Sequence, residues 1–114
     1  MIILNLIIAD KEQVDAVVSS ILKNKFSLNV AVGSALDLFY LNDLPVKTHS
    51  LAYPIHFVTK SILFGKIEEA IKKEFPALVF FIYAAPTVHI NTIFYDEIKK
   101  NVTGISLIDE ETEN

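Results

Sequence analysis

Residues Ile2–Ala9 form an almost unbroken apolar run, rich in isoleucine and leucine, that stops at the charge of Asp10. A run of that kind predicts a strand covered on both faces. Asp10 is placed to cap a following helix, with Gln13 three residues on in the position of a capping box. Val14, Val17, Val18, Ile21 and Leu22 then recur at the offsets of one helical face, while Lys11, Glu12, Asp15, Ser19, Ser20 and Lys23 occupy the other.

From Leu28 to Tyr40 the chain alternates and is rich in β-formers, with Gly33 permitting a bulge or bend. Asn42, Asp43, Leu44 and Pro45 supply turn residues, so a long hairpin is predicted, returning over about Lys47 to Thr59. The period of two puts His49, Leu51, Tyr53, Ile55 and Phe57 on one face of the return arm and Thr48, Ser50, Ala52, Pro54, His56 and Val58 on the other. Pro54 lacks an N–H and marks a bulge or an edge. Ser61 is placed to cap a second helix whose inner face is Leu63, Ile67, Ala70 and Ile71, closed by Pro76. Ala77–Ala85 reads as another strand without a polar face. After a loop around Thr87–Asn91, Ile93, Phe94 and Ile98 define a short helix capped by Asn91 or Thr92 and ended by Gly104. Ile105–Ile108 suggests a small edge strand. The expected division is one domain over 1–108 and an acidic mobile tail over 109–114.

The order is β-α-β-β-α-β, followed by an extra C-terminal helix, which predicts an α+β, ferredoxin-like sandwich: an antiparallel sheet with its helices on one face. The other face should then be polar, yet Ile3, Ile7, Val79 and Phe81 project from it. At about 1.5–3 kcal/mol for each large side chain buried, leaving such a set wet would consume much of a small domain's stability. Another copy of the same sheet is the economical cover, so self-association is expected.

Composition agrees and narrows the function. The chain has 114 residues, 52% hydrophobic and 21% charged, with a formal charge of −4 and a mean hydropathy of +0.42. All ten basic residues are lysine. Without an arginine or a basic surplus there is little with which to track phosphates, so nucleic acid is not an expected partner. The absence of cysteine removes disulfides, thiolate nucleophiles and thiolate metal sites. Neither Met1–Ile8 nor Ala77–Ala85 is long enough to span a bilayer, and no basic leader precedes the first run; a cytoplasmic protein without a membrane partner is expected.

Several segments resemble the CutA family, the divalent-cation-tolerance proteins of the PII-like superfamily. They are the first strand ending at Asp10, the hairpin around Tyr40, the strand end Phe57–Val58–Thr59–Lys60, the helix Lys66 to Glu74, and Asn91 to Ile98 with Tyr95. The resemblance covers most of Ile2–Ile98 and implies a trimer, its three sheets packed around an axis with clefts between subunits. One departure is chemical. Where CutA proteins usually carry a His-Pro-Tyr-Glu-like stretch, this chain reads Phe75–Pro76–Ala77–Leu78, and the family's usual cysteine in the second strand is missing, so that proposed metal chemistry does not carry over.

The remaining chemistry is thin. His56 and His89 are the candidate metal ligands, for copper or zinc, if their strands pair; lone strand histidines are otherwise surface or hydrogen-bonded residues. Tyr40, Tyr83 and Tyr95, with Lys60 as a charge partner, are the candidate ligand-binding residues of a subunit cleft, and the same tyrosines equally suit core or interface packing. The hairpin tip 42–45 is a candidate protein-binding loop. No Gly-x-Ser-x-Gly elbow, Gly-rich phosphate loop or telling acid–base pair is present, so a binding or regulatory trimer, not an enzyme, is expected. The rival is a small ferredoxin-like dimer with a pocket between sheet and helices, a candidate for catalysis.

Overall fold

The computed structural model describes residues 1–39 and 49–103, with the backbone alone at His49. Tyr40, the hairpin tip at 42–45, Gly104, the predicted strand at 105–108 and the acidic segment 109–114 lie outside the described residues.

The apolar opening run is strand β1 (Ile2–Ile8). Asp10 Oδ1 accepts a hydrogen bond from the Glu12 N–H at 3.0 Å, starting a short turn that leads into helix α1 (Val14–Lys23). Two short strands, β2 (Ala31–Val32) and β3 (Leu36–Phe39), form the outgoing arm of the hairpin and β4 (His49–Thr59) its return. Helix α2 (Phe64–Glu74), strand β5 (Phe80–Pro86) and helix α3 (Thr92–Asn101) follow. The sheet order is β2-β4-β1-β5, with β3 also on β4, and every pairing is antiparallel. Counting β2 and β3 as one arm, this is the predicted ferredoxin-like sandwich with its added helix.

The break in the arm has a local cause. Val32 pairs with Ile55 and Leu36 with Ala52, so residues 33–35 face only Tyr53 and Pro54. One extra residue on the outgoing side makes a bulge. Gly33 donates its N–H to the Pro54 carbonyl at 3.0 Å, and a Cβ on Gly33 would lie 3.0 Å from the proline ring. Pro54 therefore marks the bulge and not an edge, since β4 is flanked by β1 on its other side.

One face of the sheet carries the core. Leu4, Leu6 and Ile8 alternate into it and meet Val17 and Ile21 of α1, Ile67 and Ile71 of α2, and Ile98 of α3, all fully buried. Several details differ from the sequence expectations: Leu22, placed on the inner face of α1 by periodicity, is exposed. Ser20, placed on the outer side of α1 by periodicity, is buried and donates its hydroxyl to Glu74 Oε1, tying α1 to the end of α2. Ser61 lies inside the short turn before α2 and does not cap the helix; the cap position of the turn is Lys60 and that of α2 is Leu63, neither with a side-chain cap bond. The last strand starts at Phe80, not Ala77, because Leu78 N–H closes a turn on the Phe75 carbonyl around Pro76. Ile93 faces solvent, 79% exposed, while Phe94 and Ile98 face the core.

Helix α1 ends in a Schellman arrangement: Phe26 N–H bonds the Ile21 carbonyl and Lys25 N–H that of Leu22, both at 3.0 Å, with Lys25 in the left-handed region at φ 58°. A Cβ is unfavourable there. Lys25→Gly should therefore raise the unfolding free energy by about 0.5–1 kcal/mol in chemical denaturation. A loss of stability would show that Lys25 does not hold this conformation.

Candidate functional site

Two regions concentrate the candidate residues. The first is an open cleft at the Ile2 end of β1, lined by Met1, Lys60, Ser61, Ile62, Tyr95 and Lys99. Thr59 ends β4 opposite Ile2, so the next residue, Lys60, emerges beside the last turn of α3. Its ammonium donates to the Val102 carbonyl at 3.0 Å and, at the limit of a hydrogen bond, to that of Lys99 at 3.5 Å. These carbonyls carry the negative end of the helix dipole, where a cation is favoured. Burial pushes the Lys60 ammonium below its ordinary 10.5. Across the cleft, the Lys99 ammonium stands 5.3 Å from the centre of the Tyr95 ring, within cation–π range. Two lysines, Ser61 and Tyr95 thus line one cleft together with the apolar Met1 and Ile62.

Among the described tyrosines predicted to join Lys60, Tyr95 lines the cleft with it within one chain. Tyr83 lies on the outer face of the sheet, opposite Asn5, its ring centre 5.4 Å from that of Phe81; Tyr40 lies outside the described residues. Lys99 was missed by sequence reasoning because it belongs to the polar side of α3, and only the docking of that helix beside β4 brings it to Lys60.

The second region is the outer sheet face. Ile3, Asn5 and Ile7 of β1 pair with Val58, His56 and Pro54 of β4 and with Ala85, Tyr83 and Phe81 of β5. Phe81 is 56% and Tyr83 45% exposed, and Val79 beside them 69%. The face is apolar, as predicted, except for the row His56–Asn5–Tyr83 across it and for Ser50 near the start of β4. A neighbouring cleft at its Ile8 end is lined by Ile7, Leu38, Ala52 and Phe81.

The histidines are separate. His56 stands mid-face between Asn5 and Ala31, whereas His89 is exposed in the loop beyond the end of β5. Among the described residues no group of three or more His, Cys, Asp or Glu is placed to hold a metal ion. The segment Phe75–Leu78 lines a third cleft with Asp10, Gln13 and Glu74, and it lies at the Ile8 end of β1, the opposite end from Lys60. No described helix is long and apolar enough to cross a membrane.

No family model matches this sequence, and no curated protein matches it. Solved structures do. A CutA1 protein from a psychrotrophic Shewanella bacterium superposes with a TM-score of 0.79 at 17% identity, over 90% of this chain and 95% of its own. The divalent cation tolerance protein of Thermus thermophilus gives 0.78 at 17%, over 90% and 100%. The periplasmic divalent cation tolerance protein CutA of Archaeoglobus fulgidus gives 0.74 at 16%, over 90% and 100%. The chain has the CutA1 fold.

Lys60→Met should remove the anchor of α3 and lower stability by about 1 kcal/mol, the value of a typical hydrogen bond. With its folded value depressed and its unfolded value ordinary, Lys60 gains stability for the fold only as pH rises through the depressed value towards 10.5. Lysine side-chain NMR should show the Lys60 resonance titrating below 10.5; titration of Lys60 at its ordinary value would contradict its half-buried placement.

Proposed function

We propose that this chain acts as a CutA-like, PII-like homotrimer, a binding or regulatory protein in the cytoplasm linked to divalent-metal tolerance or small-ligand sensing, and not as an enzyme. The observation that carries the reading is the apolar outer sheet face on a chain with the CutA1 fold. Uncovered, Phe81, Val79 and their neighbours oppose solubility; covered by two further copies, they become a core. The cysteine-free composition suits a reducing compartment.

The binding function is best supported at the Lys60–Tyr95 cleft. Its two ammonium groups favour a small anionic or polar ligand, and the aromatic and aliphatic lining favours one with a flat or apolar part. Copper or zinc held jointly by His56 and His89 of one subunit is the weaker proposal, since they occupy the outer face and a loop beyond it. A metal held by His56 would need the same residue from further copies. The tip at 42–45 is proposed as a protein-binding loop by its position between the two arms alone.

Sedimentation equilibrium should return three times the 12.8 kDa subunit mass; twice that mass would favour the ferredoxin-like dimer, and a single subunit would overturn the reading. Phe81→Asp puts a charge into the proposed interface and should weaken association at least about 100-fold. Equilibrium dialysis against copper, zinc and adenine nucleotides should find micromolar binding of at least one, weakened by Lys60→Met if the cleft is the site. Binding of none would leave protein–protein contact as the function.

A further inference from the structure

Lys60 and Lys99 carry charges that the fold holds in place without neutralising them. The Lys60 ammonium is pinned by the Val102 carbonyl at 3.0 Å and, more loosely, by the Lys99 carbonyl at 3.5 Å. The Lys99 ammonium rests 5.3 Å from the centre of the Tyr95 ring. Among the described residues neither is ion-paired, whereas Lys72 stands 3.4 Å from a Glu68 oxygen. No carboxylate lines their cleft. Glu97, two residues before Lys99, accepts a hydrogen bond from the Asn101 amide at 2.7 Å and lines a different cleft. Apolar surface lies beside the cations: Ile62 is 62% and Tyr95 39% exposed.

We propose that this cleft takes a small amphiphilic monocarboxylate, its carboxylate shared by the Lys60 and Lys99 ammonium groups and its apolar body laid against Met1, Ile62 and the Tyr95 ring. The inference rests on the binding reading given above and names the ligand class. Cations already held in position lose little freedom on meeting an anion, so part of the cost of binding is met by the fold. The cleft, about 330 Å³, lies at the small end of small-molecule sites, and one ring or one branched chain suits it.

The donors select a carboxylate over a phosphate. An ammonium has three N–H groups. Two of those on Lys60 are directed at carbonyls, which leaves one, and those on Lys99 make no hydrogen bond among the described residues. A carboxylate brings two oxygens and one charge, and takes a donor from each lysine. A phosphoryl group brings three oxygens and a charge of about −1.5 to −2. Its surplus charge would meet the last carbonyls of α3, the negative end of the helix dipole. The guanidinium forks and glycine-rich nests that bind phosphates are missing as well: the chain has no arginine, and no glycine lines the cleft. A neutral ligand would leave both cations without a counter-charge.

Three probes with one benzyl body separate these chemistries: phenylacetate, benzylphosphonate and phenylacetamide, each titrated into isotope-labelled protein above the second ionisation of the phosphonate. Phenylacetate should shift the resonances of Tyr95 and Lys99 and bind at least tenfold more tightly than either of the others. Lys99→Met leaves the backbone carbonyl that Lys60 uses in place; it should weaken phenylacetate at least tenfold with helical circular dichroism retained. Benzylphosphonate or phenylacetamide binding as tightly, with the same dependence on Lys99, would overturn the carboxylate class and leave the cleft a ligand site. Phenylacetate bound with unchanged affinity by the variant would overturn both. Binding of none of the three at millimolar concentration would overturn this inference, and the dialysis against nucleotides then decides the binding reading separately.

Discussion

A strand that is apolar on both sides commits the whole architecture. β1 lies between β4 and β5, and its alternate residues point to two different faces: Leu4, Leu6 and Ile8 into the core under the helices, Ile3 and Ile7 onto the open face. One layer of helices can satisfy only the first. Every other element either completes the helical layer or widens the second surface.

The elements that complete the helical layer are tied together by polar contacts at their ends. Ser20 joins α1 to Glu74 of α2, Thr59 Oγ1 bonds the Phe26 carbonyl at 2.6 Å, and Lys60 fastens α3 to the end of β4. The last of these contacts places the cleft between Lys60 and Tyr95 where Met1, the end of β4 and α3 meet. The bulge at Gly33 and Pro54 separates β2 from β3 along the arm, whose Leu51 and Phe39 are exposed. Those two lie on the side opposite the outer face, whose own apolar surface continues along the arm through Leu38 and Ala52.

Much of this was legible in the residues because it depends on local periodicity. The runs of β1, the faces of α1 and α2, and the irregularity at Gly33 and Pro54 are all short-range patterns, and the structure has them. What escaped depends on contacts between distant segments. Ser20 reads as an outer residue until α2 brings Glu74 to it. Lys99 reads as part of a solvated face until α3 docks beside Lys60. Within one chain Tyr83 and Lys60 stand apart for a different reason: register fixes Tyr83 opposite Asn5, and a tyrosine on a strand serves only one face. Asn5 was readable, as the single polar residue inside the first apolar run, but its meaning needed the register that sets it beside His56 and Tyr83.

The central claim is that the open face of the sheet is not open in solution. Because the chain has no cysteine, a single thiol introduced as Ala85→Cys, on that face opposite Ile3, reports its accessibility directly. At micromolar protein the thiol should react with an aromatic disulfide reagent far more slowly than in the denatured chain, and should speed up on dilution as copies separate. A thiol that reacts at the same high rate at every concentration, in a folded chain, would contradict the account.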